Sequence, residues 1–524
     1  MSISCPVISV KEMQLWEKAS WEIGINEEHV IRLVGKAIAE WIVRNIDPGS
    51  RILMIIGKGN NGADVKAAQQ FLPTKDFEIK GVKIDDPQNA LTDVLESLAV
   101  PIQTLSQYEE SPDIALEEAS WIPDLVVDGL FGIGLRGGLE GHWQKLVDFL
   151  NLLNPILSID CPSGIDCDTG QVVSTAIKAT WTMTVGAPKT GLVLPVAAPH
   201  TGRLLLAHDV GLHPELPLNP SLRTMDADIQ WVWNKGITDV SGEVIREVEG
   251  HKGDYGHMVE IAGSPGYHGA AILAAKAAQS RQPGLISVLT IGDAFIPVAS
   301  NLLGPMVHKF SNQSLEELMD KATSILIGPG LATSEARNYV YPVLQDLWKH
   351  SEKTLIVDAT ALDWLPVGKV STNSLRVITP HAGEAKRMLA KAHIENIDPQ
   401  VDRFAAAKKL SETYGGCVTV LKGYLTQTYI DGTHFLNPTG NPSLAQGGAG
   451  DVLSGMIAGN LAHPYKGWDQ NEILNEQKIM VLRAIWHHGA AADTLQSDAM
   501  HWTIEDVVEK IKVPAAFQFM MSPD

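Results

Sequence analysis

Two hydrophobic rhythms alternate along this chain. Helical spacing of apolar residues predicts helices over 11–23 and 27–45. The unbroken apolar run Ile52–Ile56 follows, closed by GKGNNGAD at 57–64 and a helical stretch to about Leu72. Further runs predict strands near 77–84, 124–128, 156–160 and 179–185, with helices near 88–98 and 139–153. Residues 212–222 have no apolar periodicity and hold Pro214, Pro217 and Pro220, the pattern of a boundary. A second alternation follows, with strands near 257–262, 285–290, 323–327, 354–358, 375–378 and 417–421. Its helices are expected near 268–280, 334–349, 383–391, 399–414, 452–463 and 477–494. Strand–helix alternation with continuous apolar strands predicts parallel sheets covered on both faces. The chain therefore reads as two α/β domains, 1–222 and 223–524.

Composition changes this picture little. The 524 residues are too many for one ordinary core. A net charge of −20 favours solubility and argues against a nucleic-acid surface. No apolar run approaches the ~20 residues of a membrane span, and no leader precedes the first helix, so a soluble cytoplasmic protein is expected. Cys5, Cys161, Cys167 and Cys417 form no CxxC pair and no zinc spacing. They read as free thiols in a reducing compartment.

The chemistry concentrates in loops that follow strands. In NPTGNPSLAQGGAGDVLSG, 437–455, Gly447, Gly448 and Gly450 lead into Asp451 and then into helical spacing. Glycines at a helix entry let backbone N–H groups approach an anion. A bare phosphate would repel a carboxylate there, so Asp451 reads as a base facing a hydroxyl beside a transferring phosphoryl group. GSPG at 263–266, GPGLA at 328–332, TPHAGE at 379–384 and Lys422-Gly423 each follow a predicted strand. Ligands in open α/β sheets gather at such strand ends. In the first half, GIGLRG at 132–137 satisfies GxGxxG, with Asp160 23 residues beyond Gly137. It does not occupy the first strand–helix turn, so the dinucleotide-fingerprint reading is set aside.

KGDYGHMVEIAGSPGYHGAAILAAKAA, GPGLA, TPHAGE, VLKG and NPTGNPSLAQGGAGDVLSG together resemble the ADP/ATP-dependent NAD(P)HX dehydratases, over residues 245–512. The resemblance implies a ribokinase-like α/β domain. It also implies phosphorylation of the C6 hydroxyl of hydrated NADH or NADPH by ADP or ATP with Mg²⁺, then loss of phosphate. Carried over by position, Asp451 is the base, and Gly448, Ala449 and Gly450 meet the phosphoryl group. Lys422, Gly423, Tyr424, Leu425 and Thr426 contact the adenine nucleotide. Ala271, Gly330 and His381 line the hydrated nicotinamide, and Glu384 helps place Mg²⁺. Ala332 and the DATAL segment, 358–362, depart from the family pattern.

GKGNNGAD, VVDGLFGIGLRG and SIDCPSGID resemble the NAD(P)HX epimerases, over residues 9–215. This implies a Rossmann-like three-layer domain that interconverts the R and S forms. Asn61, Asp128 and Ser163 match positions for K⁺. Asn60, Asn61, Gly62, Ala63 and Asp64 match one substrate loop. Gly132, Ile133, Gly134, Leu135, Arg136, Gly137 and Gly138 match the other, and Asp160 matches the substrate-contacting acid and is a candidate for proton transfer. Ala63 and Val65 replace glycines, and Arg32 and Leu33 replace a Glu and an Asn. Two alternatives stay open for this domain, a slow epimerase or a module kept for binding and stability. The expected partners are NADHX, NADPHX and adenine nucleotide, in a homo-oligomer. The competing reading is a ribokinase-type small-molecule kinase with a non-catalytic N-terminal domain.

Overall fold

Apolar strands closed by glycine-rich loops build two separate sheets in the computed structural model, which describes residues 4–100, 116–135, 137–214, 228–232, 246, 248–465 and 467–511. The chain divides into two compact units. Residues 6–214 lie in one; residues 228–511, with Ser4 and Cys5, lie in the other. The boundary expected at 222/223 falls outside the described residues.

The strands, in chain order, begin with β1 (Ser4–Pro6), β2 (Arg51–Ile56), β3 (Glu78–Lys83), β4 (Leu125–Gly129), β5 (Ile156–Ile159), β6 (Trp181–Val185) and β7 (Arg203–Ala207). Sheet order in the first unit is β3-β2-β4-β5-β6-β7, and every pairing is parallel. Five of the six residues of β2 are buried, as a strand covered on both faces requires. The chain passes from β2 to β3 on one side, then returns to β4 on the other. The carboxyl ends of β2 and β4 therefore flank a topological switch point, the usual crevice for a ligand in an open sheet.

The second unit continues with β8 (Asp228–Val232), β9 (His257–Ile261), β10 (Leu285–Thr290), β11 (Met306–Lys309), β12 (Ser324–Ile327), β13 (Thr354–Val357), β14 (Arg376–Ile378), β15 (Val418–Leu421), β16 (Gln427–Ile430) and β17 (Thr433–Leu436). Its order is β1-β8-β17-β16-β15-β14-β13-β12-β9-β10-β11. β11 through β15 pair in parallel, while β16 is antiparallel to both neighbours. The switch point lies between β9 and β12. Helices His268–Gln279 and Ala449–Asn460 cover one face of this sheet, with contact close enough that a Cβ on Gly455 would meet the Ala274 carbonyl at 2.2 Å. This is why the first of these helices is so rich in alanine.

One sequence expectation is corrected here. Cys161 and Cys167 are joined as a disulfide, while Cys5 and Cys417 are free and buried. The CPSGIDC loop folds back on itself, bringing the two Cα atoms to 6.8 Å despite a spacing that is not CxxC. Among the described residues no helix is long and apolar enough to cross a membrane.

Candidate active sites

In the second unit, the GGAGD run does open a helix. Gly448 is its N-cap at φ 95, a left-handed conformation. A Cβ there would lie 2.6 Å from Leu273 Cδ1, so both backbone and space select glycine. The Ala449 amide donates to the Gln446 carbonyl at 3.3 Å. The amides of Gly450 and Asp451 belong to the first turn of the helix, whose N–H groups lack the carbonyl partners of a helix interior. They carry the partial positive charge of the helix N-terminus.

Lys422 supplies a full charge to the same place. Its Nζ donates to Asp358 Oδ1 at 2.9 Å and lies 3.9 Å from Glu384 Oε2. A Cβ on Gly450 would stand 3.1 Å from that Nζ. Burial alone would lower the Lys422 pKa, but Asp358, Glu384 and Asp451 outweigh it and hold it raised. Burial pushes the Asp451 carboxyl up to about 7, helped by Asp358 and Glu384 and opposed by Lys422. A carboxyl poised there can accept a proton at neutral pH.

The remaining positions frame this pair. Gly263 N–H donates to the Pro329 carbonyl at 2.8 Å, and Ser264 Oγ to the Gly330 carbonyl at 2.6 Å. The loops after β9 and β12 are thus locked together across the switch point. Gly330, at φ 67, faces the Tyr267 carbonyl so closely that a Cβ would sit 2.3 Å from it. Ala271 is fully buried behind Gly263, so it shapes the loop from beneath. His381 caps helix Ala382–Lys391: its Nδ1 accepts from Gly383 at 3.0 Å, and Glu384 Oε2 accepts from the His381 amide at 2.8 Å. The ring stays exposed. Gly423 (φ 139) and Leu425 (φ 45) turn the chain after β15 through positive-φ positions, and Thr426 Oγ1 donates to the Gly423 carbonyl at 3.1 Å. Tyr424 is exposed beside them.

Several contributors were not singled out from sequence. Arg403 Nη2 holds the Leu421 carbonyl at 2.9 Å, beneath Lys422-Gly423. Asp493, from the long helix Gln470–Asp498, accepts from the Gly440 amide at 3.0 Å and the Asn441 side chain at 3.3 Å, anchoring NPTGNP. Glu260, in β9, is fully buried, and its carboxyl is held well above the usual carboxylate range, first by burial and then by Asp451. Its apolar flanks, Val259 and Ile261, gave no sign of it.

In the first unit, the three positions matched to K⁺ meet at one point. Asp128 is fully buried. Its Oδ1 accepts from Ser163 Oγ at 2.7 Å, and its Oδ2 from Ser158 Oγ at 2.8 Å and the Ser163 amide at 3.1 Å. Asn61 Nδ2 donates to the Phe131 and Ile159 carbonyls, at 3.0 and 2.7 Å. Burial raises the Asp128 carboxyl, against these hydrogen bonds. Asn60 and Asn61 begin helix Asn60–Phe71, with Asp64 one turn further on. Gly62 is pressed against the Gly57 carbonyl, which a Cβ would approach to 2.0 Å. Ala63 and Val65 take ordinary helical conformations, and Val65 packs fully buried against Gly129. The glycines they replace are therefore not required for the backbone here. Gly132 abuts the Asn61 side chain, and Gly137 takes φ 86. Ile133, Gly134, Leu135 and Gly138 share this loop after β4, while Arg136 lies outside the described residues. GIGLRG does not open a helix; the next begins at His142, consistent with setting aside the dinucleotide fingerprint.

Asp160 follows β5 at φ 62 and is buried. Lys189, fully buried, forms an ion pair with it at 2.5 Å and also donates to Thr184 Oγ1 at 3.1 Å and the Val185 carbonyl at 2.8 Å. Lys189 was missed because a lysine in GAPKTG reads as a solvent-exposed loop residue. Among the described residues no group of three His, Cys, Asp or Glu side chains is placed to hold a metal ion.

A family model described as NAD(P)H-hydrate dehydratase matches residues 258–513, and one described as YjeF-related protein N-terminus matches residues 27–191. The bifunctional NAD(P)H-hydrate repair enzyme Nnr of Moorella thermoacetica is 32% identical over 483 residues, covering 86% of this chain and 87% of the relative. The chain belongs to this family of bifunctional NAD(P)H-hydrate repair enzymes. The repair enzymes of Coxiella burnetii (32% identity, 86% of this chain, 89% of the relative) and Escherichia coli (30%, 90% and 86%) match likewise. A solved ADP/ATP-dependent NAD(P)H-hydrate dehydratase from Bacillus subtilis, co-crystallised with ATP and Mg²⁺, is 29% identical, with a TM-score of 0.41 over 51% of this chain and 92% of its own. Membership of the repair-enzyme family supports the two-activity reading and not the small-molecule kinase alternative.

Proposed function

We propose that this chain repairs hydrated NADH and NADPH, dehydrating the S form at the expense of ADP or ATP and interconverting R and S forms at C6 in its first unit. The observation that carries the dehydratase reading is Asp451, a carboxyl raised to about 7 at a helix N-terminus, beside the Lys422 cation. Asp451 takes the proton of the C6 hydroxyl as that oxygen attacks the terminal phosphoryl group. The Gly450 and Asp451 amides and Lys422 face the charge that develops on the phosphoryl oxygens. Phosphate is a far better leaving group than hydroxide: the N1 lone pair expels it from C6, and loss of a C5 proton to the departing phosphate or to water then restores the 5,6 double bond. The adenine nucleotide supplies the phosphoryl group, over the segment Lys422 to Thr426. Glu384, which also caps its helix, would help hold Mg²⁺, which would supply charge neutralisation to the nucleotide phosphates.

In the first unit, Asn61 Oδ1, Ser163 Oγ, Asp128 and the Phe131 carbonyl offer oxygen donors only, a set suited to a hard monovalent cation. K⁺ there would fix the loops after β4 and β5 around Asp160. The cytoplasm, where both nicotinamide and adenine nucleotides are substrates at hand, is the proposed location.

Asp451→Asn tests the dehydratase assignment. Nucleotide affinity by calorimetry should be retained, while dehydration of (S)-NADHX falls by roughly 10²–10⁴-fold. Unchanged turnover would remove Asp451 from the role of base.

A further inference from the structure

The epimerase site holds a second buried carboxyl whose environment is opposite to that of Asp160. Asp160 is an ion-paired carboxylate, held by Lys189. All three N–H bonds of Lys189 are spent, on Asp160, Thr184 and Val185, and its side chain has no exposed surface. Lys189 therefore has no proton to offer a substrate, and acts by positioning Asp160. Asp64 is 7% exposed, and among the described residues its carboxyl has no hydrogen-bond partner. A carboxylate so placed would lose its hydration with nothing in return, so the neutral acid is favoured.

Geometry puts the two carboxyls on one site. Asn61 and Asp64 are three residues apart, on the same face of helix Asn60–Phe71. The Asn61 side chain is bonded to the carbonyl of Ile159, the residue just before Asp160. Burial first, then the charges of Asp160, Glu17 and Glu27, hold the Asp64 carboxyl well above its usual range; Lys189 opposes them. Glu17 lies on helix Val10–Glu22 and Glu27 begins helix Glu27–Asn45, where it accepts from Asn60 at 3.0 Å. Glu17 is also raised, by burial and then Asp160, but it is the more exposed of the two. One carboxyl held by a buried ammonium beside a second buried without a cation is the arrangement of a base and its acid.

Resting on the epimerase reading above, we propose that Asp64 is the general acid of epimerisation and Asp160 the general base. C6 of the hydrated nicotinamide carries both the hydroxyl and the ring nitrogen N1, so it is a hemiaminal carbon. Asp160 takes the hydroxyl proton and C6–O becomes a carbonyl. The C6–N1 bond breaks, its electron pair passes to N1, and N1 takes the proton of Asp64. Reclosure on the other face of the carbonyl returns one proton to each group, with no net change.

The test is nucleotide-free conversion of (R)-NADHX to the S form by the full chain, followed chromatographically with the spontaneous rate subtracted. Asp64→Asn and Asp160→Asn should each slow it by roughly 10²–10⁴-fold. Both variants should dehydrate (S)-NADHX with ATP as the parent does, which shows that the chain is folded. The residual activity of Asp64→Asn should lose the alkaline fall in its pH profile, since the acid that must stay protonated is gone. Rapid epimerisation by Asp64→Asn, with Asp160→Asn slow, overturns the assignment of Asp64 and leaves the epimerase reading standing. Loss of activity in Glu17→Gln, with Asp64→Asn active, moves the acid to Glu17. Full activity in all three variants overturns the assignments of Asp64 and Asp160, while no conversion above the spontaneous rate by the parent chain overturns the epimerase reading itself.

Discussion

Asp451 works because the fold denies it what a surface carboxylate has. Burial and the neighbouring Asp358 raise it to about 7. In the proposed role of base it must be ionised, so dehydration should rise with pH through about 7 and fall away below it. Asp358→Asn removes repulsion and should move that acidic limb to lower pH; a limb that stays in place would contradict the coupling. The sign for stability is the reverse. A folded-state pKa above the unfolded value means that folding takes up a proton between the ordinary carboxylate range and about 7. Stability should therefore decline over that window as activity appears, which a series of denaturant melts would show. Lys422 is the counterweight. Lys422→Met leaves Asp358, 1% exposed, without its cation, and should cost about 3–5 kcal/mol in denaturant unfolding.

Two helix entries do most of the positioning, and they were unequally legible. GGAGD was legible because the left-handed Gly448 selects glycine, and Gly450 keeps the helix entry open beside Lys422. Gly448→Ala should lose about 1–3 kcal/mol and weaken nucleotide binding together, by thermal melts and calorimetry; a stable, tight-binding variant would show that the left-handed cap is dispensable. The parallel strands β2, β4, β9, β12 and β13 were read from unbroken apolar runs, whose cause is burial on both faces. The hairpin β16–β17 was not read, although Asp431-Gly432 at φ 48 and 94 is a strong two-residue turn signal. The short strands β7, β8 and β11, at or next to a sheet edge, were missed for a different reason. Their alternation is weak because one side is only partly covered. The Cys161–Cys167 bridge was invisible because pairing depends on how the loop folds, not on spacing. Asp493 and Arg403 were invisible because each acts on backbone brought from 53 or 18 residues away.

At the scale of the whole molecule, the two units repeat one solution. Each is a largely parallel sheet with its candidate site at the switch in strand order: β2 against β4 in the first, β9 against β12 in the second. Sequence gave the loops that meet there, since glycine clusters after apolar runs are unmistakable. It did not give the charge partners that set their chemistry, Lys189 for Asp160 and Asp358 for Lys422, which lie 29 and 64 residues away. Because the candidate sites are built in different sheets, their activities should separate by mutation. The central claim is that one chain carries both halves of the repair. An equimolar mixture of (R)- and (S)-NADHX given to the intact chain with ATP or ADP tests it most directly. The account predicts that the S form disappears first, with return of reduced-nicotinamide absorbance. The R form then follows faster than spontaneous epimerisation allows. A phosphorylated product that accumulates without that absorbance would contradict it.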